Sequence, residues 1–200
     1  MKVVALMGSK GGAGRTMLAV QLARMACAKG GRPMILDSGA RPDARTWAKD
    51  AGTPSLVQRV VGPAARGEAF RYLLEVINEQ GRYTHVFIDE PPRAWISTAI
   101  MLLPFRPALP DMRALLEFAP ALAADAGPIA VCNAARSGTS EAREALEFLA
   151  EAGTVKFAST VICDRVLFRR TFAAGKGVAD IGASSKAKSE IMALYEELGL

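Results

Sequence analysis

Three glycines within four residues, set between an apolar run and a helical pattern, constrain this chain more than any other feature. The stretch Gly8-Ser9-Lys10-Gly11-Gly12-Ala13-Gly14-Arg15-Thr16 follows the strand-like Val3–Met7. It precedes Thr16–Ala28, in which Leu18, Leu22 and Met25 recur at helical spacing. Glycines at a strand-to-helix turn let successive backbone N–H groups point inward, and the helix adds the positive end of its dipole. Such a turn cradles phosphate. Thr16, in the first helical turn, is placed to offer its hydroxyl to Mg²⁺.

Composition narrows the remaining possibilities. Two hundred residues suit a single domain over 1–200, and with half of them hydrophobic the chain buries a sizeable core. No apolar run approaches the ~20 residues of a membrane span. The start, Met1-Lys2-Val3-Val4-Ala5-Leu6-Met7-Gly8, reads as a first strand rather than a signal peptide. Cys27, Cys132 and Cys163 lie in apolar settings and read as buried thiols of a cytoplasmic protein. His85 is the single histidine and opens an apolar run, so a multi-histidine zinc site is excluded and a Ser-His-Asp triad nearly so.

The chain alternates strand-like and helix-like segments, the pattern of an α/β fold: one mostly parallel twisted sheet flanked by helices. The strands are expected at Val3–Met7, Pro33–Leu36, His85–Ile88, Ile100–Leu103, Ile129–Cys132 and Phe157–Ile162. Helices are expected at Thr16–Ala28, Pro42–Ala51, Glu68–Gln80, Asp111–Ala123, Glu141–Glu151 and Lys186–Leu198. Trp47 and Trp95 read as packing residues. The net charge is +5, and the stretch from Lys156 to Lys188, with seven bases and two acids, carries the whole excess. A local basic patch suits a polyanion.

Lys10-Gly11-Gly12-Ala13-Gly14-Arg15-Thr16 resembles the deviant Walker A loop of the ParA/MinD family of P-loop ATPases, Lys-Gly-Gly-x-Gly-Lys-Thr, at six of seven positions. Other segments resemble that family in the same order. Asp37-Ser38-Gly39-Ala40-Arg41 followed by Trp47 is similar to its second-strand motif. Val86-Phe87-Ile88-Asp89-Glu90-Pro91-Pro92 is similar to its Walker B segment. Leu103-Pro104-Phe105-Arg106-Pro107-Ala108-Leu109-Pro110-Asp111 is similar to its strand-exit stretch, and Val131-Cys132-Asn133 to the start of its adenine pocket. The size is similar to that of the short plasmid-type partition proteins.

The resemblance implies ATP and Mg²⁺ as ligands. Lys10 is then the signature lysine that reaches the phosphates of a partner subunit in an ATP-sandwiched homodimer. Gly11, Gly12, Ala13, Gly14, Arg15 and Thr16 form the phosphate cradle, with Thr16 and Asp89 as Mg²⁺ ligands. Asp37 lies beside the terminal phosphate, and Asn133 contacts adenine. Arg165, Arg169 and Arg170 are the candidate contacts to nonspecific DNA, where phosphate contacts without base contacts give salt-sensitive binding. The implied function is positioning or segregation of a plasmid or other DNA element on the nucleoid, with a small DNA-binding partner protein that triggers release. A membrane-positioning role, as in MinD, does not suit the acidic end Tyr195-Glu196-Glu197-Leu198.

Two residues depart from the pattern. Arg15 stands where the loop lysine is expected, and a planar guanidinium is not a compact point charge. Gly39 stands where the second Asp of Asp-x-Asp is expected. Both changes touch hydrolysis more than binding, so the expectation is nucleotide binding with slow hydrolysis. The alternative is a nucleotide-gated adaptor without turnover.

Overall fold

Strands as apolar as Val3–Leu6 and Val86–Ile88 are fully covered only when helices pack on both faces of a sheet. The computed structural model describes residues 1–8, 10–62, 67–91, 100–122 and 127–200, and has this layered form. Ser9, Pro92, Trp95 and Ala123, which figure in the sequence reading, lie outside the described residues. The first half of the chain forms β1 (Lys2–Leu6), α1 (Arg15–Ala28), β2 (Pro33–Asp37), α2 (Asp43–Asp50), β3 (Val57–Arg59), α3 (Gly67–Glu79) and β4 (His85–Asp89). The second half forms β5 (Ile100–Phe105), α4 (Leu109–Phe118), β6 (Ile129–Ala135), α5 (Glu141–Ala152), β7 (Lys156–Phe157), β8 (Ile162–Cys163), α6 (Val166–Ala173) and α7 (Lys186–Glu197).

The strand order is β3-β2-β4-β1-β5-β6-β7, and β8 pairs with the far part of β6. All of these pairings are parallel, as expected. Side chains alternate along the strands and divide the core. Val4, Leu6, Ile35, Phe87 and Leu102 belong to the layer that holds α1, α2, α6 and α7. Ala5, Leu36, Val86 and Ile88 pack with α3. Met101, Leu103 and Phe105 pack with α4 and α5.

The sequence marks a single apolar stripe on α1, but the fold also buries Ala19, Val20, Gln21, Ala23 and Ala26. The helix is covered on its outer side by α7 and by the turn at Val178–Asp180. Gln21 tolerates burial because its Oε1 accepts a 2.8 Å hydrogen bond from the Val178 N–H. Trp47 packs as expected, 4% exposed, and its Nε1 donates to the Phe172 carbonyl at 3.0 Å.

Three elements differ from the sequence reading. The expected strand Phe157–Ile162 is two short strands, β7 and β8, because each pairs with a different part of β6. The strand β3 has only Val57 buried and was not expected. The helix α6 was not expected either; its eight residues include two arginines, and only Phe168 and Thr171 are buried.

Candidate functional site: a glycine loop between two cavities

In a parallel sheet, strand ends and helix starts gather along one edge, where ligands bind. Here β1 feeds the glycine loop, and β2, β4 and β6 bring their last residues beside it. Gly12 and Gly14 have φ of +80° and +90°, conformations that other residues rarely adopt. Among the described residues no side chain caps α1, and its first turn holds no acid. The N–H groups at its start are therefore left for an outside acceptor. In contrast, α7 is capped by Ser185, whose Oγ accepts from the Lys188 N–H.

Asn133 approaches the loop from β6. Its Nδ2 donates a 2.7 Å hydrogen bond to the Ala13 carbonyl, and the residue is 1% exposed. The pairing of β6 with β8 is irregular between Asn133 and Ala135, and Ala134 has φ +55°. Gly14 lets the amide in, since a Cβ there would collide with Asn133 Nδ2. Asn133 Oδ1 is buried and has no hydrogen-bond partner among the described residues. The residue borders a cavity of about 350 Å³ that is otherwise mostly apolar, with Met17, Phe168 and Phe172 in its wall. A buried, unpaired acceptor beside an apolar space is suited to a ligand that brings a donor.

On the other side of the loop, Thr16 Oγ1 donates a 2.6 Å hydrogen bond to Asp89 Oδ2. Asp89 is 5% exposed, and burial pushes its pKa up to about 6 against the lowering effect of the Thr16 bond. Asp37, opposite Asp89 in the β2–β4 register, raises it further. A hydroxyl and an under-compensated carboxylate are hard oxygen donors, and they fit Mg²⁺, which takes one or two protein ligands and fills the rest with water and phosphate. The described residues hold no group of three or more His, Cys, Asp or Glu arranged to hold a metal ion by themselves.

Asp37 is fully buried and fully engaged. Its Oδ1 accepts from Arg59 Nη1 at 2.6 Å, and its Oδ2 accepts from the Arg45 N–H at 2.9 Å. It pins β2 to β3 and to the first turn of α2. Sequence reasoning missed Arg59 and Arg45; the unread strand β3 hid the first, and a backbone N–H leaves no sequence signal for the second.

Arg15 does not lie free. Its Nη1 is 3.3 Å from Glu90 Oε1, and the two residues border a second cavity of about 330 Å³ with Gly8 and Ser38. Lys10 is exposed, and its Nζ donates to the Pro110 carbonyl at 3.0 Å, in the first turn of α4. Gly11 meets open space. The structure thus brings together Ala13, Gly14, Arg15, Thr16, Asp37, Asp89 and Asn133 around one loop, with Lys10 at its outer edge.

The three basic candidates lie apart from one another in chemistry. Arg165 Nε donates to Glu190 Oε1 at 2.9 Å, and Glu190 also accepts from the Cys163 N–H. Arg169 pairs with Asp164. Arg170 is exposed at the end of α6 and forms no ion pair among the described residues. No described helix is long and apolar enough to cross a membrane.

The chain is similar to several known proteins. A curated relative, "Maintenance of carboxysome distribution protein A" of Gloeobacter kilaueensis, is 35% identical over 125 residues, 58% of this chain and 54% of its own. The match therefore spans about half of that relative's length. No family model matches the chain. The solved MinD cell division protein of Aquifex aeolicus superposes with a TM-score of 0.76 at 16% identity, over 100% of this chain and 97% of that one. The ATP complex of a McdA variant from Cyanothece gives 0.70 at 15% identity, again over 100% and 97%. The fold is that of the ParA/MinD-type P-loop ATPases. The resemblance carried by the loop motifs is borne out by these neighbours.

Proposed function

We propose that this chain is an ATP-dependent, dimerising switch of the ParA/MinD type that positions a cargo, hydrolyses ATP slowly and binds nonspecific DNA. The observation that carries this reading is the place of the loop between two chemically different cavities. The apolar one, with the unpaired Asn133 Oδ1, suits a flat base that offers an amino group, as adenine does. The other holds Arg15. A nucleotide laid along the loop puts its base in the first and its terminal phosphate toward the second, with the free N–H groups of α1 between them.

Thr16 and Asp89 are the residues to hold Mg²⁺, which when bound neutralises phosphate charge. Asn133 does two things at once: its Nδ2 fixes the loop through Ala13, and its Oδ1 receives the base. Among the described residues Lys10 is tied only to an exposed carbonyl, so it is free to exchange that bond for the phosphates of a second copy. A cation lent across the interface makes dimerisation depend on the bound nucleotide.

The cargo proposed is a plasmid or other DNA element, with a small DNA-binding partner protein that triggers release. The name of the curated relative, which refers to carboxysome distribution, supports the broader idea of positioning. The basic segment around Arg165, Arg169 and Arg170 supports DNA binding, and Arg170 is the residue of the three with no ion pair to break among the described residues.

Calorimetric titration with Mg–ATP and Mg–GTP tests the nucleotide site. ATP is expected to bind, with GTP weaker by roughly tenfold or more, because its base presents an acceptor to Asn133 Oδ1. Equal binding of both overturns the base assignment. A second reading, an adaptor without turnover, is favoured by one observation: both oxygens of Asp37 are already engaged. Steady-state turnover with and without the partner separates the two.

A further inference from the structure

The carboxylates beside the loop differ in how fully they are occupied. Asp37 has both oxygens taken, by Arg59 and by the Arg45 N–H. Asp89 is buried and accepts from Thr16. Glu90 is different: its side chain is 45% exposed, and it borders the cavity of about 330 Å³ beside Gly8 and Arg15. In that wall Arg15 and Glu90 are the charged residues.

The backbone aims Glu90 there. Its φ is +62°, in a region that a glutamate rarely enters. Two hydrogen bonds hold the turn: the Glu90 N–H donates to the Leu6 carbonyl at 3.1 Å, and Ser38 Oγ donates to the Glu90 carbonyl at 2.9 Å. The side chain then swings over the end of β2. A Cβ on Gly39 would lie 2.5 Å from Glu90 Oε2. Gly39 itself is not in a left-handed conformation, so the backbone does not demand glycine at this position; a side chain there would have to displace the Glu90 carboxylate, the far end of a half-exposed side chain. The two departures in the sequence, Gly39 and Arg15, thus belong to one arrangement with Glu90 at its centre.

We infer that Glu90 is the carboxylate that accepts the hydrogen bond of the attacking water, with Arg15 as its positioning residue. The inference rests on the reading of the loop as an ATP site. In the step, the water oxygen bonds to the terminal phosphorus as the bond from that phosphorus to the bridging oxygen breaks, and ADP leaves with the electron pair. One hydrogen of the water stays on the phosphate product, and the other leaves as a proton to solvent past Glu90. The Arg15–Glu90 pair is partly exposed and long, so it aims the carboxylate without locking it.

The test measures Mg–ATP affinity by calorimetry and single-turnover ATP cleavage on the full chain. Glu90→Gln is expected to bind Mg–ATP within about threefold of the unsubstituted protein and to cleave it roughly 10²-fold more slowly. Glu90→Ala is expected to be equally slow. Adding Gly39→Asp to Glu90→Ala sends a carboxylate into the vacated space and is expected to restore cleavage to within about tenfold. Because Gly39 stands where the second Asp of Asp-x-Asp is expected, the rescue alone does not single out Glu90; slow cleavage by Glu90→Gln at unchanged Mg–ATP affinity does, since a merely structural loss would lower both. Cleavage by Glu90→Gln at the unsubstituted rate overturns the inference, and so does an unsubstituted chain that binds Mg–ATP and never cleaves it. Failure of that chain to bind Mg–ATP overturns the underlying reading instead, which the calorimetry reports separately.

Discussion

Asn133 Nδ2 lies 2.7 Å from the Ala13 carbonyl, so a residue of β6 fixes the backbone of a loop 120 positions earlier in the chain. The contact exists because Gly14, at φ +90°, has no Cβ to block it. Gly14→Ala adds both strain and a collision. It is expected to cost about 1–3 kcal/mol of stability and to abolish nucleotide binding. Thermal melting and calorimetry on the same sample check this; a substituted protein with unchanged melting and affinity contradicts the role given to the contact.

Asp89 offers a prediction of opposite sign for stability and function. Its pKa is raised from 3.8 to about 6, so folding disfavours its ionised form above that pH. In EDTA at pH 8, Asp89→Asn is expected to stabilise the chain by up to about 3 kcal/mol. The gain should shrink as the pH falls through 6 toward 3.8. The same substitution should remove the Mg²⁺ dependence of ATP binding. Chemical denaturation across pH, together with titrations in Mg²⁺ and EDTA, separates the two effects.

His85 sets a second pH dependence, at the opposite edge of the sheet. Its ring is bonded to Thr84 Oγ1 at 2.8 Å and to the Tyr195 hydroxyl at 3.1 Å, and it stacks on Phe87. Burial, with Lys2 nearby, lowers its pKa below 6.5. A lowered value means the unfolded chain takes the proton first. The stability it contributes is present above pH 6.5 and lost as the pH falls through the folded value. His85→Gln should flatten the fall in melting temperature between about pH 7.5 and 5.5, and an unchanged slope contradicts this.

Much of the site was legible because its chemistry is local. The glycines, Thr16, the apolar run ending at Asp89, and Asn133 at a strand end all stand in short motifs whose spacing carries meaning. What was illegible depends on contacts between distant residues. Glu90 read only as part of the Walker B-like segment, and nothing in its neighbours shows that its turn folds the side chain over Gly39. The engagement of Asp37 depends on Arg59, on a three-residue edge strand with one buried side chain. In the fold, the parallel sheet followed from apolar runs, whereas the break between β7 and β8 arises because each pairs with a different part of β6.

The basic segment separates stability from DNA binding. Arg165 neutralises Glu190, which also accepts from the Cys163 N–H, so Arg165→Ala is expected to cost about 1–3 kcal/mol of stability. Arg169→Ala with Arg170→Ala is expected to leave folding nearly intact and to weaken binding to duplex DNA. The slope of log affinity against log salt should fall by about 2. Filter binding across salt concentrations measures it, and an unchanged slope places the DNA contact elsewhere.

The most direct test of the account is the mass of the particle in solution, by light scattering on the chromatographed protein, with and without Mg–ATP. The monomer is expected to become a dimer when Mg–ATP saturates the loop, and Lys10→Ala is expected to bind Mg–ATP yet stay monomeric. A chain that binds Mg–ATP and keeps the same mass, or a Lys10→Ala protein that dimerises like the unsubstituted one, contradicts it.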